Sequence, residues 1–165
     1  MKRASIVVLL CGLILLAGCA AKKPVQSQLQ IREFQTRTFS DTDMKLAMKA
    51  MMNVLQDDGF IIKQGSLELG LLSAEKQVDV ESHGEAFWAV FFAGSQARYK
   101  KNSVFECSVN VSDFGSAARV RANFQMRLIN NKGELMEVQR VEDAAYYQDF
   151  FSKVDKALFL AKEKL

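Results

Sequence analysis

The chain has 165 residues, of which 49% are hydrophobic and 25% are charged, and its formal net charge is +3. This length fits one domain with a sizeable core, and so small a charge gives no general case for binding nucleic acid. With one histidine, three cysteines and no glycine-rich phosphate motif, the sequence offers no recognisable catalytic set, metal site or cofactor site. We therefore predict a protein that is not an enzyme.

The amino terminus has the layout of a secretory signal peptide. Lys2 and Arg3 precede an apolar run from Ile6 to Leu16, which leads into Leu16-Ala17-Gly18-Cys19. At ~1.5 Å per residue, an apolar run of about 13 residues reaches only about 20 Å, which is too short for the ~30 Å core of a bilayer. The tetrapeptide resembles the lipobox of bacterial lipoproteins.

That resemblance implies that Cys19 is lipidated with diacylglycerol, that the chain is cut before it, and that the new amino terminus is usually acylated, so we expect palmitate on the mature chain. Ala20 in place of aspartate resembles the sorting signal for the outer membrane, so we predict a lipid-anchored protein that faces the periplasm. Cys11 would leave with the signal peptide, and Cys107 would remain without a disulfide partner. We predict that Cys107 is a small buried residue.

The predicted organisation has three parts. Residues 1–18 form the lipoprotein signal peptide, residues 19–32 form the lipidated cysteine and its tether, and residues 33–165 form a single domain. The prediction of a tether is based on the only proline of the chain and on the absence of a helical or strand periodicity in this stretch. A strand beginning within residues 26–30 stays open as an alternative.

The first half of the domain predicts a strand, a helix and two further strands. Glu33–Phe39 is rich in β-branched and aromatic residues, and Ser40 with Asp43 offers a capping box for a helix that ends near Gly59. The next strands are expected at residues 60–63 and 69–77, and the second of them contains Gly70 as a weak point.

An apolar insertion is predicted at about residues 79–102. Nine apolar residues, Ala86–Gly94, are followed by a basic stretch, and as a helix they would be about 14 Å long. The insertion would pack on its own domain, dock on a protein partner or a second copy, or lie in a membrane interface. The candidate contact residues are Phe87, Trp88, Phe91, Phe92, Arg98, Lys100 and Lys101.

The clearest strand pair follows the insertion. Apolar and polar residues alternate through 105–112 and again through 119–128, which predicts one core face and one solvent face. The solvent face of the second strand carries three arginines that we treat as a candidate site for an acidic ligand or partner. These arginines are Arg119, Arg121 and Arg127.

The chain is predicted to end in a hairpin and a long helix. Asn130–Gly133 is typical of a turn, Leu135–Val141 of a strand, and Asp143 of a helix cap. Apolar residues from Tyr147 to Leu165 recur at three-and-four spacing, and Phe159 and Leu160 lie off that stripe. The order β-α-β-β-insertion-β-β-β-α predicts an α+β fold, with an antiparallel sheet and helices packed on one face.

Several short motifs of the domain look familiar. They are Gln35-Thr36-Arg37 with Phe39, Leu55-Gln56-Asp57 with Gly59-Phe60, and Tyr147-Gln148 with Phe150-Phe151. Together with the lipobox they resemble a family of uncharacterised bacterial outer-membrane lipoproteins. The resemblance implies export and fold, but it brings no activity and no catalytic residues.

Two functions follow from these patterns. The first is a non-catalytic interaction or accessory module of a cell-envelope assembly or transport system, with a protein partner or self-association. The alternative is a binding protein for a lipid or another small apolar ligand. Its walls would be the insertion and the methionines of the first helix, at positions 44, 48, 51 and 52.

Overall fold

The computed structural model describes residues 27–78, 102–130 and 132–163. Cys19, the signal peptide and the predicted contact residues between Phe87 and Lys101 lie outside this range. The described helices are α1 (Gln28–Phe34), α2 (Met44–Asp57) and α3 (Ala144–Glu163). The described strands are β1 (Thr36–Ser40), β2 (Ile61–Ser66), β3 (Leu71–Val78), β4 (Asn102–Asp113), β5 (Ala117–Ile129) and β6 (Leu135–Arg140).

The strands of the described residues form one antiparallel sheet in the order β1-β5-β4-β3-β2. β6 also pairs with β5, so the long β5 has two partners on one edge: β1 along residues 117–121 and β6 along residues 125–129. α2 and α3 pack on one face of this sheet. The predicted α+β fold with an antiparallel sheet and helices on one face is confirmed.

The alternation in β4 and β5 places the core as predicted. On β5, every second side chain from Ala118 to Leu128 is buried, and on β4 Cys107 lies opposite Phe124 in the strand register. The buried face meets the α3 stripe, where the Phe124 ring lies 4.9 Å from the Phe150 ring, centroid to centroid. Burial raises the pKa of the Cys107 thiol well above its ordinary value, which keeps it neutral.

The cap of α2 differs from the prediction. Asp43, not Ser40, is the N-cap, and its carboxylate accepts a 2.6 Å hydrogen bond from the Leu46 amide. Ser40 is the last residue of β1, and the chain then turns through Asp41, whose φ is +50°. The first residues of the expected capping box lie at the end of β1 and in the turn that follows it. The helix therefore begins further along the chain than predicted.

The amino-terminal helix α1 was not predicted. Ser27 Oγ accepts from the Gln30 amide at 3.3 Å, and Gln30 Oε1 accepts from the Ser27 amide at 2.8 Å, which forms a capping box. Ile31 is buried. The predictions of a tether to residue 32, of a strand from Glu33 and of a strand within residues 26–30 are therefore wrong in this part of the chain.

Two further details concern glycines and methionines. Gly59 has a φ of +82° after the end of α2, as expected of a helix-closing residue, whereas Gly70 lies in the turn before β3 and not within the strand. Met48 and Met51 are buried in the core, and Met44 and Met52 pack against it. The methionines of α2 therefore fill the core.

Candidate functional site

The face of the sheet away from α2 and α3 is polar. Its side chains alternate with the buried ones along β4 and β5, and Ser108 and Asn110 at its centre are exposed. We call this surface the free face. Its residues on β4 and β5 are Glu106, Ser108, Asn110, Ser112, Arg119, Arg121, Asn123, Gln125 and Arg127.

The structure separates the three arginines that the sequence suggested as one ligand site. Arg127 pairs with Glu106 at 2.7 Å, and the Arg119 guanidinium carbon lies 3.9 Å from the centroid of the Phe114 ring. Arg121 Nε is buried and has no hydrogen-bond partner among the described residues. The three side chains therefore have different surroundings and do not form one site.

The Glu106 carboxylate is held by two neighbours on β5. It accepts from Arg127 Nη1 at 2.7 Å and from Gln125 Nε2 at 2.8 Å. Burial alone would raise the pKa of Glu106, but the hydrogen bonds and the charge of Arg127 outweigh burial, and the pKa lies below its ordinary value of 4.5. The group therefore stabilises the fold in its ionised form.

We expect Glu106→Gln to lower the free energy of unfolding at neutral pH by less than about 1 kcal/mol, because the pair is partly exposed. A lowered folded-state pKa contributes stability above the ordinary carboxyl value and loses it as the pH falls through the folded value. The difference from the unmodified chain should therefore shrink as the pH drops below 4.5. Urea unfolding at several pH values measures this.

Glu68→Gln, in the exposed turn before β3, is the matched control because it removes the same charge without an ion-pair partner among the described residues. Its effect should be small at every pH. If the loss of stability caused by Glu106→Gln grew as the pH fell, the claim that ionised Glu106 stabilises the fold would be wrong.

A gap separates β1 from β6 along the edge of β5. The Ala122 amide donates to Gln35 O at 3.0 Å, and the Val141 amide donates to Phe124 O at 3.0 Å. Between these bonds the Phe124 amide has no strand partner, and it donates to the Tyr147 hydroxyl at 3.2 Å. A side chain of α3 thus closes the ladder where the two strands stop.

The Tyr147 hydroxyl joins three parts of the chain at this gap. Besides the Phe124 amide, it accepts from Gln35 Nε2 at 3.2 Å and donates to Val141 O at 3.2 Å. Burial raises the pKa of Tyr147. The hydroxyl accepts hydrogen bonds from Phe124 and Gln35 and lies near the charge of Arg121, and these interactions lower the pKa by less than burial raises it. The phenol therefore stays neutral and can donate.

A cavity of about 320 Å³ opens beside this gap. Three arginines from three elements line it: Arg32 from α1, Arg121 from β5 and Arg140 from the end of β6. We call the cavity the arginine notch. Its full lining is Gln28, Ile31, Arg32, Gln35, Arg121, Asn123, Phe124, Gln125, Arg140 and Glu142.

Among the described residues, none of these three guanidiniums has a carboxylate within ion-pair distance. Glu142 is the one acidic side chain of the lining. The alternation of the sequence indicated Arg121 but not Arg32 or Arg140, because no local pattern connects α1 to the end of β6. The only local sign was the Ser27–Gln30 capping box, which places Arg32 on a helix.

Comparisons with known proteins give no functional match. No family model matches the chain, and no curated protein matches it. A DUF4468 family protein from Bacteroides ovatus is similar in structure, with a TM-score of 0.41 and 9% identity over 74% of this chain and 84% of that chain. A TBP-like protein from Parabacteroides distasonis has a TM-score of 0.38 and 8% identity over 74% and 90%. At such low identities and TM-scores, the likeness does not indicate a function for this chain.

Two features are absent from the described residues. No helix among them is long and apolar enough to cross a membrane. Within the same ranges, no group of three or more histidine, cysteine, aspartate or glutamate side chains is placed to hold a metal ion.

Proposed function

We propose that the chain is a lipid-anchored, non-catalytic interaction module of the periplasm, attached to the outer membrane through Cys19. In this proposal it serves a cell-envelope assembly or transport system by docking on a protein partner. The observation that carries the proposal is the free face. One side of the sheet is buried under two helices, while Ser108 and Asn110 at the centre of the other side are exposed.

The charges of the free face suggest the chemistry of the partner. Arg127 is compensated by Glu106, whereas Arg119 is exposed, lies against the Phe114 ring and has no carboxylate partner among the described residues. An acidic surface opposite Arg119 would gain attraction and orientation from this charge. We therefore propose a partner that presents acidic side chains to the free face.

Site-specific photo-crosslinking in intact cells tests this docking. A photoreactive residue at Ser108 probes the centre of the free face, and one at Lys49, which is exposed on α2, probes the opposite side of the domain. We expect one protein to be captured from Ser108 and not from Lys49. Arg119→Glu should lower its yield several-fold, because reversing a rim charge slows association.

Equal capture from Ser108 and Lys49, or no capture from either, would contradict docking through the free face. A third form, lacking Ala86–Gly94 and carrying the probe at Ser108, tests the apolar segment outside the described residues. Loss of the same product assigns part of the contact to that segment, to which Trp88 and Phe91 belong. Retention assigns the contact to the free face alone.

The anchor is tested in the same strains. Labelled palmitate should be incorporated into the unmodified chain and not into Cys19→Ala, and the variant should leave the membrane fraction. Incorporation at an unchanged level in Cys19→Ala would contradict lipidation there.

The alternative, binding of a lipid or small apolar ligand, draws no support from the helix that suggested it. Met48 and Met51 of α2 are buried, and Met44 and Met52 pack against the same core. The cavity described above is lined mainly by polar and charged side chains. We therefore favour the interaction module.

A further inference from the structure

We propose that the arginine notch binds a phosphate group, carried either by a small soluble molecule or by a lipid head group. This inference rests on the described residues and does not depend on the partner proposed for the free face. It concerns the opening at the edge of the sheet between β1 and β6, where Arg121, Asn123 and Gln125 at the margin of the free face also line the notch.

The first argument is charge. Arg32, Arg121 and Arg140 line one cavity, and no carboxylate of the described residues pairs with any of them. Placing three like charges around one cavity is unfavourable unless something compensates them. With Glu142 at the same cavity, the lining keeps a net charge of about +2, which matches a dianionic phosphate group.

The second argument is an unsatisfied donor. Arg121 Nε is buried and has no hydrogen-bond partner among the described residues. A buried donor without a partner costs about 1–3 kcal/mol, so native proteins rarely keep one without a reason. Arg121 is also close enough to the Tyr147 hydroxyl for its charge to oppose the effect of burial there. Because Nε itself is enclosed by protein, an oxyanion in the notch would meet the terminal nitrogens of the Arg121 guanidinium, over which the same positive charge is delocalised.

The third argument is shape. The three guanidiniums come from α1, β5 and the end of β6, so they approach the cavity from separate elements. A carboxylate offers two oxygens in one plane, whereas a phosphate monoester offers three terminal oxygens in a tetrahedral arrangement. A volume of about 320 Å³ is larger than a bare phosphate ion needs, and it leaves room for the group to which the phosphate is attached.

Polar side chains around the arginines suit such a ligand. Gln28 and Asn123 line the cavity, and neither makes a side-chain hydrogen bond within the described residues. Their amides can bind hydroxyl groups next to a phosphate. The Gln35 amide nitrogen is already used by Tyr147, so it holds the wall of the cavity in place.

The position of α1 allows a lipid head group to supply the phosphate. Ser27 precedes α1, and eight residues separate Cys19 from Gln28. At ~3.3 Å per residue, such a connection reaches at most about 30 Å. If Cys19 is lipidated, the notch therefore lies within reach of the membrane surface. The soluble and membrane sources share the same chemistry and are separated by experiment.

The full chain, purified from membranes in a non-ionic detergent, can be titrated calorimetrically at about 0.15 M ionic strength, where charges outside the notch are largely screened, with inorganic phosphate and with glycerol 3-phosphate. We expect saturable binding of both, and tighter binding of glycerol 3-phosphate because it fills more of the cavity. Succinate, a dianion without phosphate, should bind at least about tenfold more weakly. For the membrane source, the chain is reconstituted in phosphatidylcholine vesicles with or without phosphatidic acid. Phosphatidic acid should weaken phosphate binding if head groups occupy the notch and leave it unchanged if the ligand is soluble.

Variants of matched charge test the site itself. Arg140→Gln and Arg121→Gln should each weaken phosphate binding by about tenfold or more, since each removes a charge-assisted hydrogen bond. Glu142→Gln should strengthen it several-fold, because it removes the one negative charge of the lining. Arg119→Gln makes the same charge change on the same strand outside the notch, and it should leave the affinity within about twofold. Arg140 is exposed, so its replacement tests binding even if Arg121→Gln impairs folding.

Several results would overturn the proposal. One is the absence of binding of phosphate, glycerol 3-phosphate and phosphatidic acid. Another is equal weakening by Arg119→Gln and Arg140→Gln, which would indicate a general charge effect. Equal affinity for succinate would remove the assignment to phosphate.

Discussion

Replacing Gly70 with alanine is expected to lower the free energy of unfolding by more than about 3 kcal/mol. Gly70 has a φ of +62°, and a Cβ atom there would lie 2.0 Å from the carbonyl oxygen and 3.1 Å from the carbonyl carbon of Val111. Neither atom can move away easily, because both belong to the backbone of β4. The same backbones are joined by a 2.7 Å hydrogen bond from the Val111 amide to Gly70 O.

The clash would therefore push apart the β2–β3 turn and the end of β4. Urea unfolding followed by circular dichroism measures the loss. Gly115→Ala is the matched control, since Gly115 has a φ of +72° but no atom within 4 Å of an added Cβ. It should cost only about 1–2 kcal/mol, the usual cost of a left-handed conformation. The difference in the free energy of unfolding between the two variants measures the effect of the clash with Val111. Equal losses of stability would show that the β4 backbone moves away to accommodate the added Cβ.

The sequence predicted those parts of the fold that depend on local periodicity. The alternation in β4 and β5 correctly separated the buried Phe105 and Phe124 from polar neighbours such as Gln125, because the period of a strand is set by its backbone. The stripe on α3 likewise placed Tyr147 and Phe150 in the core and left Phe159 exposed. These features needed no information about distant parts of the chain.

Helix α1 escaped prediction because seven residues are too few for a clear helical period. Ile31 falls in the predicted tether and Phe34 in the predicted first strand, and a helix this short is marginal on its own. In the structure it is held by contacts with the rest of the domain. The Phe34 ring lies 5.3 Å from the Tyr147 ring, centroid to centroid, and Ile31 is buried.

The candidate site was only partly predictable for the same reason. Arg119, Arg121 and Arg127 share one face of β5, as the alternation indicated, but their surroundings depend on the register with β4 and on the edge strands. Arg127 meets Glu106 only because Gln125 and Glu106 are register partners. Arg121 joins Arg32 and Arg140 only because β1 and β6 share the edge of β5.

Tyr147→Phe is expected to lower the free energy of unfolding by about 2–4 kcal/mol. The variant keeps the ring in the core and removes one oxygen, which now bonds Gln35 Nε2, the Phe124 amide and Val141 O at 3.2 Å each. Without it, two donors and one acceptor would lose a buried partner at the gap between β1 and β6. Urea unfolding gives the total loss. Hydrogen exchange should be faster at the Phe124 amide in the variant, because this amide donates its hydrogen bond to the Tyr147 hydroxyl.

Ser152→Ala is the matched control for Tyr147→Phe, because it also deletes a hydroxyl from α3. That hydroxyl is exposed and bonds Gln148 O at 2.8 Å, so its loss should change stability by less than about 0.5 kcal/mol. A cycle with Gln35→Met then tests the network. If the hydroxyl is what satisfies the Gln35 amide, Gln35→Met should cost about 1 kcal/mol less in the phenylalanine variant than in the unmodified chain. Additive costs, with unchanged exchange at Phe124, would mean that water replaces the oxygen and that the gap beside the arginine notch does not depend on Tyr147.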